Sequence, residues 1–204
     1  MQFDSLKLGG AVRVRMERHT DERGFFARSF CAQEFRAHGL PTDFVQSSVS
    51  WNPRRGTVRG LHFQWPPSQE GKLIRCLRGA IFDVLLDLRP SQPGFLEHCA
   101  LQLNEDNRDA VYIPAGMAHG FQTLTDDAEV LYQMSDFHAP ELAAGVRWND
   151  RAFSIPWPMT AGLVIAPRDA AYPDFDASAF AAELARRSAP VDRKSTRLNS
   201  SHVD

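Results

Sequence analysis

Proline and glycine interrupt this chain at short intervals, and this punctuation limits what it can fold into. Between Gly9 and Pro158 the interruptions separate short runs rich in Val, Ile, Leu and Phe. Runs of this length bounded by turn residues are typical of β-strands, and many in succession indicate a sandwich or barrel. The sequence therefore predicts an all-β fold. The runs are AVRVRM, FVQSSVS, TVRGLHFQ, KLIRCL, AIFDVLLDL, CALQL, AVYIP, HGFQTL and EVLYQMS.

Two segments have the character of helices. CAQEFRAHG is predicted to form one short helix. DASAFAAELARRSA, residues 176–189, has apolar positions at helical spacing and begins with an Asp and a Ser that can cap it. After Pro190 the periodicity stops, and we interpret residues 191–204 as a non-native or disordered tail. Residues 1–190 are expected to form a single domain.

The charge balance and the cysteines bear on partners and compartment. Net charge is −2 with the signs interspersed, so neither a nucleic acid nor a membrane is an expected partner. No apolar run approaches the roughly 18 residues of a membrane span. The segment MQFDSLKLGG lacks the apolar centre of a signal peptide. Three cysteines without CxxC spacing favour a reducing, cytoplasmic location, with the thiols as small core residues.

A histidine and a lysine occur close together in VRGLHFQWPPSQEGKLIRC. A lone strand histidine is usually a core residue satisfied by a backbone carbonyl, and a lone lysine is usually solvated. Here, however, one predicted hairpin collects more polar groups than a core would hold, which indicates a functional site. These groups are Arg59, His62, Gln64, Glu70, Lys72 and Arg75.

Four further polar residues have both a structural and a functional interpretation. His119 follows a Pro-Gly turn and can cap it. Asp83 shares a strand face with Ile81 and Leu85, so it is expected to be buried and to need Lys72 or a histidine as partner. Tyr132 suits strand packing, and Asp169 lies in a polar stretch where aspartates commonly cap or turn.

The pattern does not favour a metal or another cofactor. A metal-binding barrel of this kind would place two histidines at i and i+2 with a glutamate nearby, but Gln64 follows His62 at that spacing and Glu70 falls in a predicted loop. No GxSxG, P-loop or GxGxxG motif occurs. The remaining set of His, Lys, Tyr, Asp and Arg suits proton transfer next to a carbonyl without a cofactor.

Several sequence blocks, from about Asp4 to about Phe175, resemble the dTDP-4-dehydrorhamnose 3,5-epimerase family. The resemblance implies a cupin-type jelly roll (a double-stranded β-helix) that works without a metal. It also implies a homodimer in which N-terminal segments cross to the partner. Such an enzyme inverts C3 and C5, on either side of the 4-keto group, in a dTDP-linked 6-deoxyhexose. The blocks are DERGFFARSF, GTVRGLHFQ, EGKLIRCLRGAIFDVLLDLRP, YIPAGMAHGFQTL, EVLYQMSDFHAP and GVRWNDRAFSIPWP.

The resemblance also implies roles for individual residues. His62 corresponds to the general base, Asp169 to the aspartate that orients it, Lys72 to the enolate stabiliser and Tyr132 to the acid on the opposite face. A second set is implied to bind substrate: Arg59 and Arg23 at the diphosphate, Phe26 at the nucleotide, Gln46 and His119 along the sugar nucleotide, with His138, Arg168 and Asp83 at or behind the same site.

The sequence departs from the family pattern at Arg28, Ser48 and His138, where glutamate, asparagine and tyrosine are usual. The nucleobase and sugar therefore stay open. The alternatives are a C3-only epimerase acting on another 4-keto nucleotide sugar, a non-catalytic sugar-nucleotide-binding cupin, and a metal-dependent cupin enzyme. Strand alternation also puts Arg59 and His62 on opposite faces, so both can line one site only if Gly60 marks a bulge or Arg59 lies at a frayed strand start.

Overall fold

Short strands separated by turns make up most of residues 1–189, the part of the chain that the computed structural model describes. The strands are β1 (Gln2–Ser5), β2 (Val12–Arg15), β3 (Arg18–Asp21), β4 (Gly24–Ala27), β5 (Gln46–Asn52), β6 (Thr57–Gln64), β7 (Lys72–Arg78), β8 (Ala80–Asp87), β9 (His98–Asn104), β10 (Ala110–Ile113), β11 (Met117–Thr123), β12 (Ala128–Met134), β13 (Ala143–Gly145) and β14 (Val164–Ile165). The helices are α1 (Ala32–Ala37), α2 (Pro167–Ala170) and α3 (Ala177–Ser188).

Two large sheets form the body of the molecule. The first has the order β1-β2-β10-β7-β12-β5, and the second has the order β13-β6-β11-β8-β9 with β14 added parallel to β6. Most neighbouring strands are distant in sequence and antiparallel, as in a jelly roll. The predicted jelly-roll architecture is therefore confirmed. A separate two-stranded ribbon, β3–β4, stands apart from both sheets.

Every run predicted as a strand is found as a strand, and both predicted helices are present. Asp176 caps α3, because its carboxylate accepts hydrogen bonds from the N–H groups of Ser178 and Ala179. The prediction of two helices was incomplete: α2 is a third, and Asp169 lies in it rather than in an irregular loop. A single turn that begins at a proline is too short to show helical periodicity.

The structure also bears on membrane insertion and on the terminal segment. None of the helices within residues 1–189 has the length and apolar character needed to cross a membrane. The tail predicted at 191–204 lies outside the described residues.

The main hydrophobic core lies between the two sheets. Alternate residues of facing strands fill it, among them Ile74, Leu85, Phe121 and Val130, each fully buried. Two smaller clusters cover the outer faces: α3 packs through Phe180 on the second sheet, and α1 packs through Phe35 on the first. Because the outer faces are also covered, strands such as β8 and β11 are buried on both sides, including polar side chains such as Asp83 and His119.

A bulge in β6 decides which of its side chains face the interior. His62 pairs with His119 of β11 and Arg59 pairs with Phe121, so two residues of β6 oppose one of β11. Gly60 has φ +114°, and a Cβ there would lie 2.6 Å from the Cα of Gly120. Only glycine fits this close approach. Of the two alternatives, the structure has the bulge at Gly60 rather than a frayed strand start, and the bulge brings Arg59 and His62 to the same side.

Candidate active site

A cleft of about 820 Å³ opens between the two sheets and collects most of the predicted site residues. Five of its lining residues come from the predicted catalytic and diphosphate-binding sets: Arg59, His62, Lys72, Tyr132 and Asp169. His138 and Arg168 also line it. A separate surface depression among residues 148–160 holds none of the predicted residues.

The first sheet supplies one wall of the cleft. In the pairing of β12 with β7, Met134 is opposite Lys72 and Tyr132 is opposite Ile74. Tyr132 is also opposite Ser48 of β5. Side chains opposite one another, and those two positions apart, share a face. Lys72 and Tyr132 therefore project from neighbouring positions of one wall, while His62 projects from β6 of the opposing sheet.

His62 and Asp169 form a hydrogen-bonded pair in the second wall. His62 Nε2 lies 2.7 Å from Asp169 Oδ1, and Asp169 Oδ2 accepts the N–H of Gly60 at 3.2 Å. The Asp169 side chain is 6% exposed, whereas that of His62 is 46% exposed. The buried carboxylate thus holds one ring nitrogen, which leaves Nδ1 as the nitrogen for a ligand in the cleft.

The protonation of Asp169 follows from these contacts. Burial by itself raises the pKa of Asp169, but the hydrogen bond and charge of His62, with the Gly60 N–H, outweigh burial and lower the pKa below its ordinary value. Asp169 is consequently a carboxylate at neutral pH. A carboxylate in this position accepts a hydrogen bond from the Nε2–H group of His62, which favours the tautomer with an unprotonated Nδ1.

Tyr132 is held in its neutral form. Burial, followed by the charge of Asp83, raises the pKa of the Tyr132 phenol far above its ordinary value, and Arg59 offsets this only in part. The phenol therefore keeps its proton at neutral pH. A protonated phenol on the wall opposite His62 is a suitable proton donor.

Asp83 and His119 lie beneath the cleft rather than in its wall. Asp83 is fully buried, and its Oδ1 is 2.7 Å from Nε2 of His119, which is 4% exposed. The prediction that Asp83 is buried and pairs with Lys72 or a histidine is thus confirmed, with the histidine as partner. The His119 ring packs edge-on against the Tyr132 ring at 5.8 Å. Both residues consequently support Tyr132 from behind.

The remaining predicted binding residues are fixed by neighbours. Arg59 Nε donates to Asn52 Oδ1 at 2.7 Å. Arg168 Nε donates to the Tyr172 hydroxyl at 3.1 Å. Gln46 does not line the cleft but accepts the backbone N–H of His138 at 2.6 Å. These contacts place two guanidinium groups and an imidazole around the cleft.

Arg23 and Phe26 are not brought to this cleft within one chain. Both belong to the β3–β4 ribbon, where the Arg23 side chain is 84% exposed and Phe26 is 79% exposed. Arg23 contacts Asp21 of its own turn. The ribbon is attached to the body by two contacts: the Arg108 guanidinium packs on the Phe25 ring, and the Arg18 guanidinium donates to the carbonyl oxygen of Asp106.

Two neighbours of the predicted site residues were given no role from the sequence. Glu70 forms an ion pair with Lys72 inside the cleft, and Asn52, fully buried, holds Arg59. The spacing of Glu70 and Lys72 in EGK was a signal for the first contact. No sequence pattern indicated the contact of Asn52 with Arg59, because it depends on how β5 and β6 meet in space. Among residues 1–189, no group of three or more His, Cys, Asp or Glu side chains is arranged to hold a metal ion.

A jelly roll with a His–Asp pair on one wall of its cleft and a neutral tyrosine on the other defines a class, the acid–base enzymes built on the cupin fold. The sequence model of the dTDP-4-dehydrorhamnose 3,5-epimerase family matches residues 5–177. The chain belongs to this family of isomerases.

Individual relatives agree with this assignment. The dTDP-4-dehydrorhamnose 3,5-epimerase of Sinorhizobium fredii is 36% identical over 173 residues, covering 85% of this chain and 89% of that protein. The Bacillus anthracis dTDP-4-dehydrorhamnose 3,5-epimerase, solved with TDP and PPi bound, has a TM-score of 0.82 at 34% identity and covers 85% of this chain and 99% of its own. A 3'-monoepimerase from Streptomyces bikiniensis, solved with dTDP-quinovose, has a TM-score of 0.79 at 31% identity and covers 88% and 89%.

Proposed function

We propose that this protein epimerises a dTDP-4-keto-6-deoxyhexose at C3 and C5, converting dTDP-4-dehydro-6-deoxyglucose to dTDP-4-dehydrorhamnose. The observation that carries the proposal is the His62–Asp169 pair facing Tyr132 from the opposing sheet. Inversion at carbon requires a base on one face of the sugar ring and an acid on the other. Two opposing walls supply these groups.

The first step is removal of the proton next to the 4-ketone. His62 Nδ1 takes this proton while Asp169 stabilises the imidazolium through Nε2. The electrons move onto the 4-oxygen, and the Lys72 ammonium stabilises the resulting enolate. One such contact typically contributes ~3–4 kcal/mol to a barrier.

The second step returns a proton to the opposite face of the same carbon. Tyr132 donates it, and the raised pKa of its phenol keeps the donor protonated until the enolate forms. General acid and general base each contribute a factor of ~10²–10⁴. His62 then releases its proton to solvent and Tyr132 regains one from solvent, and repetition at the other carbon next to the ketone accounts for inversion of both C3 and C5.

The charge of the cleft supports a nucleotide-diphosphate substrate. Arg59 and Arg168 line it together with Lys72, and guanidinium groups bind phosphate oxygens well. We assign the nucleotide end of the site to a homodimer, in which the β3–β4 ribbon presents Arg23 and Phe26 to the partner's cleft. The exposure of both side chains supports this arrangement. The proposal places the enzyme in the cytoplasm, as one domain over residues 1–190.

The direct test is incubation with dTDP-4-keto-6-deoxyglucose in deuterated buffer, followed by NMR. We expect deuterium at C3 and C5 with the wild type, a loss of exchange of at least ~10²-fold with His62→Ala, and residual exchange without inversion with Tyr132→Phe. The matched controls are His38→Ala, an exposed histidine on α1's C-terminal side, and Tyr112→Phe, a buried tyrosine on the other face of the first sheet. Absence of deuterium with folded wild-type protein refutes the proposal.

A C3-only epimerase is the second candidate function. The likeness to the Streptomyces bikiniensis 3'-monoepimerase favours it. The same spectra decide between the two, because a C3-only enzyme leaves C5 fully protonated.

A further inference from the structure

An acidic side chain occupies the cleft directly beside the lysine assigned to the enolate. The Glu70 carboxylate pairs with Lys72 Nζ, and the two side chains are 8% and 12% exposed. Both residues line the cleft. A negative charge next to a site where negative charge develops raises the reaction barrier by repulsion, unless another effect of the same side chain offsets that cost. The contact therefore needs an explanation that the proposed proton transfers do not give.

Glu70 is not needed to hold its own loop together. Asp136 does this, because its carboxylate accepts hydrogen bonds from the Ser68 hydroxyl and from the N–H groups of Gln69 and Phe137. Among residues 1–189, the Glu70 carboxylate has one hydrogen-bonding partner, the ammonium of Lys72. The side chain is thus directed at Lys72 rather than at the loop.

The geometry of a lysine explains what such a partner does. Its ammonium carries three N–H donors on a flexible four-carbon stem and has no preferred direction of its own. Because Lys72 begins β7 next to the loop, its stem is fixed at one end only by the pairing of Lys72 with Met134 and Ile113. One donor held by Glu70 fixes the other end and leaves two donors for an oxygen in the cleft.

We propose that Glu70 is a positioning residue that anchors the Lys72 ammonium at the place where the 4-oxygen of the substrate becomes an enolate. This inference rests on the proposed epimerase function. Its consequence is that Glu70 acts through Lys72, lowering the barrier through placement of a charge without touching the reacting carbon. Misplacement of a catalytic group by about 1 Å can cost up to ~10²-fold in rate.

The first test separates placement from charge. We expect Glu70→Ala to lower kcat by ~10- to 100-fold with KM changed by less than about threefold, because the anchored charge acts mainly in the transition state. Glu70→Gln keeps an acceptor for the ammonium and is expected to fall between Glu70→Ala and the wild type. A Glu70→Gln enzyme faster than the wild type, or a Glu70→Ala enzyme with unchanged kcat, overturns the proposal.

A double-mutant cycle then tests whether Glu70 acts through Lys72. In the Lys72→Met background, Glu70→Ala is expected to change kcat by less than about twofold, because no ammonium remains to be positioned. An equal loss in both backgrounds means that Glu70 acts independently, which contradicts the proposal. Gln69→Ala is the matched control, since this exposed neighbour in the same loop does not line the cleft.

A readout independent of turnover completes the design. Acylation of Lys72 by acetic anhydride, followed by mass spectrometry, is expected to be faster in Glu70→Ala than in the wild type or Gln69→Ala; equal rates count against the anchor. Thermal unfolding of each variant checks that the protein is folded. An inactive wild type refutes the epimerase function, whereas an active wild type with no effect of Glu70→Ala refutes this inference alone.

Discussion

Replacing Asp169 by asparagine tests the His62–Asp169 pair with almost no change of shape. Asp169 Oδ2 accepts the Gly60 N–H at the bulge, so the asparagine keeps its oxygen there and turns its NH₂ toward His62 Nε2. Nε2 must then accept a hydrogen bond from the amide instead of donating one. The ring proton is thereby moved to Nδ1, the nitrogen that has to act as the base.

Two losses set the size of the effect. The hydrogen bond between imidazolium and carboxylate is lost, and bonds to charged groups contribute ~1.5–3 kcal/mol. Since the His62 side chain is 46% exposed, solvent screening favours the lower part of that range, about 1.5–2 kcal/mol. The amide bond that favours the wrong tautomer adds ~0.5–1.5 kcal/mol. The total of about 2–3.5 kcal/mol corresponds to a ~30- to 400-fold lower kcat.

The assay is exchange of the C3 proton at saturating substrate, followed by NMR in deuterated buffer. KM is expected to change by less than about threefold, because the Asp169 side chain is 6% exposed and its carboxylate is directed at His62 and Gly60. Asp174→Asn, which neutralises an aspartate that is 82% exposed, is the matched control. An Asp169→Asn enzyme with a kcat within threefold of the wild type would show that the carboxylate does not set the tautomer of His62.

Three further predictions concern stability and reactivity. Gly60→Ala is expected to lower the unfolding free energy, measured in urea, by ~2–5 kcal/mol, because the new methyl group overlaps Gly120 and the backbone has a positive φ. Gly162→Ala is the control: it has a positive φ but open space around it, so only the backbone cost of ~1–2 kcal/mol is expected. Burial raises the pKa of Cys76 to about 12, so mass spectrometry after iodoacetamide at pH 8 is expected to find Cys76 unmodified in native protein and modified after denaturation. Because its folded-state pKa is raised, Tyr132 contributes stability that is complete below its ordinary pKa and is lost as the pH rises above about 10. Tyr132→Phe is therefore expected to flatten the fall of unfolding free energy above pH 10, and an unchanged slope would contradict the burial of the phenol.

Strands with alternating or continuous apolar residues could be predicted from the sequence, and the others could not. TVRGLHFQ is predicted as a strand because it carries Val58, Leu61 and Phe63 between Gly56 and Pro66, and it coincides with β6. The ribbon strand β3, RHTD, is exposed at every position. It has no buried face and therefore no apolar pattern. β14 has two residues and is defined by its pairing with β6 alone.

The same distinction applies to the cleft. The burial of Asp83 could be predicted from strand alternation alone, because Asp83 shares a face with Ile81 and Leu85. The hydrogen bond between Asp169 and His62 connects residues that are 107 positions apart in the sequence, and Asp169 is placed by the short helix α2. No local sequence pattern predicts this contact, and only the family resemblance implied it. Asn52 reaches Arg59 across the corner between β5 and β6. Such contacts depend on how strands meet, which local propensity does not specify.

The bulge links the fold to the chemistry. In a regular strand, Arg59 and His62 would face opposite sides of the second sheet, and the cleft would have either the base or this guanidinium group. The extra residue at Gly60 turns the strand so that both face the cleft, and the Gly60 N–H released from regular pairing binds Asp169 Oδ2. One irregularity thus positions the group assigned to the diphosphate, the base and the carboxylate that orients the base. Shortening β6 by one residue at this point should remove all three arrangements together, although each involves a different side chain.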